Sequence, residues 1–93
     1  MDDLLLLPTP TSVERLLGER VREARRRRGW TQAELAQRAG LGVATVARFE
    51  ASGQGQVSTL TRLCDALGHL DDLGAVLRAP PPTTLDELRR EGR

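Results

Sequence analysis

The stretch that decides the fold lies between residues 29 and 53 and reads GWTQAELAQRAGLGVATVARFEASG. Apolar side chains recur in it every three or four positions, which predicts two short helices over about residues 32–38 and 43–51. Gly40 stands between these segments and tolerates the positive φ that a tight turn requires. The stretch therefore predicts two helices that meet at a short turn, an arrangement found in many small helical proteins.

Three more helices are predicted on either side of this stretch, over about residues 12–28, 59–67 and 70–77. Capping boxes mark two of the five helix starts, Thr11 with Glu14 and Thr31 with Glu34. Ser58 is the expected N-cap of the fourth helix. Strands are not expected, because the chain lacks the clusters of β-branched and aromatic residues that favour them. The predicted fold class is therefore all-α with five helices.

The ends of the chain are predicted to be short arms. Residues 1–10, MDDLLLLPTP, hold two prolines and predict an extended N-terminal arm. Residues 79–93 begin with a proline-rich spacer and end in a short predicted helix that reaches about Glu91. The helical domain is accordingly expected to span residues 11–78.

The charge balance excludes two classes of protein. All 14 basic residues are arginines, and they stand against 13 acidic residues for a formal net charge of +1. A uniformly basic nucleic-acid wrapper and an acidic tail protein are therefore excluded. The basic character is concentrated between residues 14 and 28, which hold seven arginines and three glutamates.

Few residues are available for catalysis or metal binding. One cysteine, Cys64, and one histidine, His69, leave neither a disulfide framework nor a set of metal ligands. We therefore expect no enzyme, no cofactor, no metal and no small-molecule ligand. The longest apolar run, Leu4–Leu7, is far shorter than the ~20 residues of a membrane span. We expect a cytoplasmic bacterial protein, since the absence of Lys, Ile, Asn and Tyr is typical of a GC-rich genome.

The helical segments together resemble the Xre/Cro-CI family of helix-turn-helix DNA-binding domains. The resemblance covers about residues 16–74. It rests on the motifs Leu17-Gly18-Glu19-Arg20-Val21-Arg22, Arg25 with Gly29-Trp30-Thr31-Gln32-Ala33-Glu34-Leu35-Ala36, Ala39-Gly40-Leu41, Val46-Ala47-Arg48-Phe49-Glu50 and Leu63-Cys64-Asp65-Ala66-Leu67-Gly68. It implies a five-helix, lambda-repressor-like globule whose third helix enters the major groove of double-stranded DNA.

The same resemblance implies roles for individual residues. Gln32 would contact a phosphate and brace the third helix, with Arg28 and Thr31 in the same DNA-binding set. Arg25 and Glu50 match a pair that forms a buried structural salt bridge in many relatives. The remaining DNA-binding positions lie at the start of the third helix and are Gly42, Val43, Ala44, Thr45, Ala47 and Arg48.

The third helix departs from the family's usual pattern. Only Thr45 and Arg48 offer polar groups there, and apolar side chains contact thymine methyls but do not read donors and acceptors. Arg48 is able to pair with guanine. Two interpretations stay open: a homodimer that reads a palindromic operator with one such contact per monomer, or a motif that has moved from DNA reading to protein binding.

The tails and the small size resemble HipB-type antitoxins. That resemblance implies a repressor of its own operon that also holds a HipA-like kinase toxin inactive. Leu4, Leu5, Leu6 and Leu7 have no partner among the predicted helices, and such an apolar patch usually marks an interface. We expect this run to pack against a second copy or a toxin subunit; the alternative is that it folds back onto helices 1 and 5.

Overall fold

A computed structural model describes residues 7–81, and the part of the chain that it describes is all-α. Its five helices are α1 (Pro10–Arg27), α2 (Gln32–Ala39), α3 (Val43–Ser52), α4 (Val57–Leu67) and α5 (Leu70–Gly74). The predicted fold class is confirmed. Leu4, Leu5, Leu6 and the predicted terminal helix lie outside the described residues. No helix within residues 7–81 is long and apolar enough to cross a membrane.

The start of α1 differs from the sequence-based prediction. Thr9, not Thr11, is the N-cap, and its hydroxyl accepts a hydrogen bond of 3.1 Å from the backbone N–H of Ser12. In return, the N–H of Thr9 donates to the Ser12 hydroxyl at 2.9 Å. Pro10 occupies the first helical position, where a missing N–H costs no intrahelical hydrogen bond. The prediction that residues 1–10 stay extended was therefore wrong at Pro10.

Two further boundaries differ from the prediction. The helix α4 begins at Val57, and its N-cap position is Gln56, which makes no side-chain capping bond. Ser58 lies inside α4, and its hydroxyl donates to the Gln56 side chain at 3.2 Å instead of capping the helix. The helix α5 ends at Gly74, so it is shorter than the predicted segment 70–77. The capping box of Thr31 and Glu34 at the start of α2 is confirmed.

The core lies between α1, α2, α3 and α4. Of its buried apolar side chains, Leu35, Val46 and Leu63 are the largest that are fully buried, and Trp30 packs against them from the edge. Burial of each of the side chains Leu35, Val46 and Leu63 contributes about 1.5–3 kcal/mol to the free energy of unfolding. The buried apolar residues are Val21, Ala24, Leu35, Ala36, Ala39, Val46, Phe49, Leu63 and Leu67.

The position of α3 is fixed by a close approach to α1. Gly53 ends α3 with a φ of 71°, and a Cβ there would overlap the backbone carbonyl of Glu14. From the other side, a Cβ on Gly18 would come within 2.6 Å of the carbonyl oxygen of Phe49. Only residues without a Cβ allow the two backbones to come this near. The end of α3 is therefore packed directly against the backbone of α1.

Candidate nucleic-acid interface

A buried ion pair joins α1 to α3, as the sequence predicts. The Arg25 guanidinium donates from Nε to Glu50 Oε2 at 2.6 Å and from Nη2 to Glu50 Oε1 at 2.9 Å. Its Nη1 donates to the carbonyl oxygen of Trp30 at 2.8 Å. Arg25 is 8% exposed and Glu50 is 3% exposed. The pair therefore links α1, α3 and the segment that leads into α2.

Gln32 connects the start of α2 to the same carboxylate. Its Nε2 donates to Glu50 Oε1 at 3.1 Å, so the first residue of α2 is tied to the last turns of α3. This is the bracing contact that the sequence predicts for Gln32. Its predicted contact with a phosphate stays a prediction.

Both partners of the ion pair are charged at neutral pH. Burial alone would raise the pKa of the Glu50 carboxyl, but the hydrogen bonds from Arg25 and Gln32, the charge of Arg25 and the nearby Arg22 guanidinium together lower that pKa. The hydrogen bond to Glu50 raises the pKa of Arg25 against the opposing effect of burial. Separating such a pair would leave a buried charge without its partner, which is strongly unfavourable, so the pair holds α1 against α3, and Gln32 connects α2 to the same carboxylate.

The outer side of α3 carries the residues predicted to face DNA. Gly42, Val43 and Ala44 are exposed, Thr45 and Ala47 are half-buried, and Arg48 is exposed. Val46 and Phe49, on the opposite side of the helix, are buried in the core. The structure therefore gathers the predicted base-reading positions on one accessible surface, although their contact with DNA stays a prediction.

The start of α2 adds donors next to this surface. The Thr31 hydroxyl accepts from the N–H of Glu34 at 3.1 Å, and the Thr31 N–H donates to Glu34 Oε1 at 3.1 Å. The backbone and side-chain hydrogen bonds to Thr31 lower the pKa of Glu34. Helix geometry leaves the N–H groups of Gln32 and Ala33 without an intrahelical acceptor, which favours an anion at this end.

Arg28 has two partners within the domain. It donates to the carbonyl oxygen of Leu67 at the end of α4, and its guanidinium lies 5.3 Å from the centre of the Trp30 ring. The Arg38 guanidinium carbon lies 4.2 Å from the centre of the same ring. These contacts give Arg28 a packing role between α1 and α4. Its predicted contact with a phosphate would have to compete with them.

Arg22 is a member of the site that the sequence analysis did not identify. Its Nε lies 3.5 Å from Glu50 Oε1. The available signal was its spacing: Arg22 precedes Arg25 by three residues, so both side chains emerge from neighbouring positions on α1. That spacing alone does not reveal which acidic residue they share.

A comparison with protein families gives a match over most of the described chain. The family model, described as a helix-turn-helix domain, matches residues 16–77. The matched range contains the whole of α2 and α3, the turn between them and most of α1. No match was found among curated proteins or among solved structures.

Proposed function

The chain belongs to the helix-turn-helix domain family, and from this membership we propose that it is a transcriptional repressor that binds a specific DNA operator through α2 and α3. The observation that carries the proposal is the shared carboxylate of Glu50, which Arg25 and Gln32 hold from α1 and α2. It fixes the accessible side of α3 relative to the start of α2. A recognition helix needs such rigid support, because base contacts depend on precise placement.

The proposed contacts divide into two kinds. Gln32 and the free N–H groups at the start of α2 bind phosphate, which positions the domain but carries no sequence information. Thr45 and Arg48 read base edges in the major groove, while Val43, Ala44 and Ala47 contact thymine methyls. One bidentate contact from Arg48 to a guanine provides about 1–3 kcal/mol of discrimination. A single domain therefore discriminates modestly, and we propose a homodimer on a palindromic operator.

Exposed apolar side chains support a second copy as the partner. A groove of about 430 Å³ lies between α1 and the α4–α5 end, and Leu17, Val21 and Leu73 are among its lining residues. Val76, which also lines the groove, is 61% exposed, and Leu77, the next residue, is 99% exposed. The groove also has basic residues, Arg20 and Arg27, and acidic residues, Glu23 and Asp72, in its lining. A twofold arrangement uses the same patch on both copies, so a patch with charges of both signs is able to complement itself.

A protein partner is the second component of the proposal. The resemblance of the tails to HipB-type antitoxins supports a role as the autoregulating antitoxin of a HipA-like kinase toxin. Exposed Val43 and Val57, 48% and 77% accessible at the starts of α3 and α4, favour the alternative that this surface binds and neutralises a toxin without significant DNA binding. We propose no enzymatic activity for either case.

The two alternatives are separated by DNA binding at two salt concentrations. The chain is titrated against the duplex upstream of its own coding sequence and against a scrambled duplex. A DNA reader binds both at low salt, loses affinity at high salt and retains a preference for the first. Arg48→Ala removes that preference, whereas the control Arg78→Ala, beyond α5, retains it. Equal preference in the wild type and in Arg48→Ala would contradict base reading by Arg48.

A further inference from the structure

We propose that Arg22 is a phosphate-binding residue of the DNA interface, held in place by Glu50. This inference rests on the proposed function and extends it to a residue on α1. The ligand is one phosphate group of the duplex backbone next to the phosphate bound by the start of α2.

The first argument is the position of Arg22. Glu50 Oε1 accepts from Gln32 Nε2 at 3.1 Å and lies 3.5 Å from Arg22 Nε. Gln32 Nε2 and Arg22 Nε both contact this one oxygen, so the two side chains are close neighbours. Gln32 is the first residue of α2, so the Arg22 guanidinium lies beside the end of α2 where an anion is favoured.

The second argument is the number of donors that Arg22 has left. Arg25 uses all three of its side-chain nitrogens, two on Glu50 and one on the Trp30 carbonyl. Arg22 contacts Glu50 through Nε, and within residues 7–81 its two terminal nitrogens make no hydrogen bond. A guanidinium presents donors in a planar fork that matches two phosphate oxygens. The free part of the Arg22 fork is thus available to such a ligand.

The third argument is charge. The Arg25 guanidinium already neutralises the Glu50 carboxylate in a two-bond contact, so Arg22 leaves one positive charge in excess at this place. The Arg22 side chain is 45% exposed, whereas that of Arg25 is 10% exposed and that of Glu50 is 0% exposed. The excess charge accordingly lies at the surface, where it is able to meet an anion.

Three neighbouring arginines, on α1 or directly after it, lack this combination. Arg27 lies 4.0 Å from Glu23 on its own helix, and Arg28 donates to the carbonyl of Leu67. Arg20 lines the groove against α4 and α5, on the other side of α1. Anchoring through Nε also restricts the rotamers of Arg22 before binding, which lowers the entropy lost when a phosphate is contacted.

The test is a salt series on three variants, with the full chain and a fluorescent duplex of its own upstream sequence. Arg22→Gln keeps a polar side chain but loses the charge, and Arg22→Lys keeps the charge but loses the fork. Arg78→Gln removes the same charge at an exposed position beyond α5, outside both the proposed DNA contacts and the lining of the groove, and is the matched control. Thermal unfolding of each variant is measured in the same buffers.

We expect Arg22→Gln to lower the affinity for the upstream duplex and for the scrambled duplex by the same factor, about tenfold at low salt, so that the preference between them is kept. Its plot of log affinity against log salt should be shallower by about one unit, which is the loss of one phosphate contact. Arg22→Lys should retain the wild-type slope with intermediate affinity. Arg78→Gln should match the wild type in both slope and affinity.

Two results would overturn the inference and leave the proposed function standing. One is a wild-type slope and affinity in Arg22→Gln. The other is an equal loss of binding in Arg22→Gln and Arg22→Lys, accompanied by lowered melting temperatures in both. Such a result would mean that Arg22 stabilises the fold and does not bind phosphate. A wild-type chain that binds neither duplex would contradict both the proposed function and this inference.

Discussion

Among single residues, Glu50 has the central place, because its carboxylate contacts side chains from two other helices. It accepts hydrogen bonds from Arg25 and Gln32 and lies beside Arg22, so one buried charge connects α1, α2 and α3. A buried carboxylate is unfavourable unless it is paired in this way. The same pairing that stabilises it also fixes the distance between the start of α2 and the outer side of α3.

Removing the Glu50 carboxylate should destabilise the domain strongly. Glu50→Ala leaves the Arg25 guanidinium buried without its counter-charge, and we expect a loss of about 3–5 kcal/mol in the free energy of unfolding. Glu19→Ala, which removes the same charge from the exposed surface of α1, should change it by less than about 1 kcal/mol. Chemical denaturation followed by circular dichroism measures both. Equal unfolding free energies in the two variants would contradict a structural role for the pair.

The Glu50 pair should also make stability depend on pH. The pKa of the Glu50 carboxyl is lowered in the folded domain. The ionised carboxylate therefore contributes its full stabilisation at pH values above the ordinary pKa of glutamate, about 4.3. That contribution is lost as the pH falls through the lowered value. The difference in unfolding free energy between the wild type and Glu50→Gln should therefore shrink on acidification from pH 6.

The comparison with Glu50→Gln isolates this carboxyl from Glu34, whose pKa is also lowered and which both proteins retain. A difference between the two proteins that stays constant down to about pH 2 would contradict the assigned ionisation of Glu50.

Sequence reasoning predicted part of this residue-level arrangement. The pair of Arg25 and Glu50 and the bracing by Gln32 followed from the resemblance to a known family, not from spacing. Arg22 was missed because whether an arginine on α1 reaches Glu50 depends on how α1 crosses α3. That crossing is set by contacts between segments far apart in the chain, which periodicity does not encode.

At the scale of the elements, glycines decide how closely α1 approaches α3. The sequence correctly placed a loop after α3, but it did not indicate that Gly53 lies against the backbone of Glu14. The start of α1 was misplaced for a local reason. Ser12 occupies the third helical position of the capping box with Thr9, where an acidic residue is more usual. The pattern of Thr11 and Glu14 fits the usual form better, and the N-cap predicted from it is therefore wrong.

Two glycines with nearly the same backbone conformation allow the close approach to be tested. Gly53 and Gly29 both have a φ of 71°, but a Cβ on Gly29 would meet nothing within 4 Å. Gly29→Ala should cost only the strain of a left-handed backbone, about 1–2 kcal/mol. Gly53→Ala should cost more than twice as much, because the added Cβ overlaps the Glu14 carbonyl. Equal losses in denaturant titrations would contradict a tight contact between α1 and the end of α3.

In the molecule as a whole, exposed apolar side chains lie near both ends of the described chain, in addition to Val43 and Val57 at the starts of α3 and α4. Leu7 is 80% exposed before α1, and Leu70, Val76 and Leu77 are exposed within and after α5. The sequence predicted an interface for Leu4–Leu7, of which only Leu7 lies within the described residues. Which partner covers these groups is not encoded in their periodicity, because an apolar surface fits a second copy and a toxin subunit alike.

A charge introduced into the groove between α1 and α5 should weaken the proposed homodimer. Val76→Glu places a carboxylate at an exposed lining position, where it leaves the monomer fold intact but opposes burial at an interface. We expect the dissociation constant of the dimer to rise by about tenfold or more, as measured by analytical ultracentrifugation. Val57→Glu, at an exposed position on α4 outside the groove, should leave the dissociation constant unchanged. The same dissociation constant for both variants would place the dimer contact elsewhere.

Deleting residues 1–8 tests the leucine arm in the same assay. If the arm packs against a second copy, the deletion weakens the dimer and leaves the stability of the monomer unchanged, since Thr9 still caps α1. An unchanged dimer together with a less stable monomer would instead mean that the arm folds back onto its own domain.

A nuclear magnetic resonance titration of the ¹⁵N-labelled chain with its upstream duplex at low salt would locate the DNA-binding surface residue by residue. If α2 and α3 form the DNA-binding surface, the amide signals of Gln32, Ala33 and residues 42–48 shift most, and those of α5 shift least. Signals that do not move on addition of DNA, or shifts confined to the groove between α1 and α5, would contradict the account.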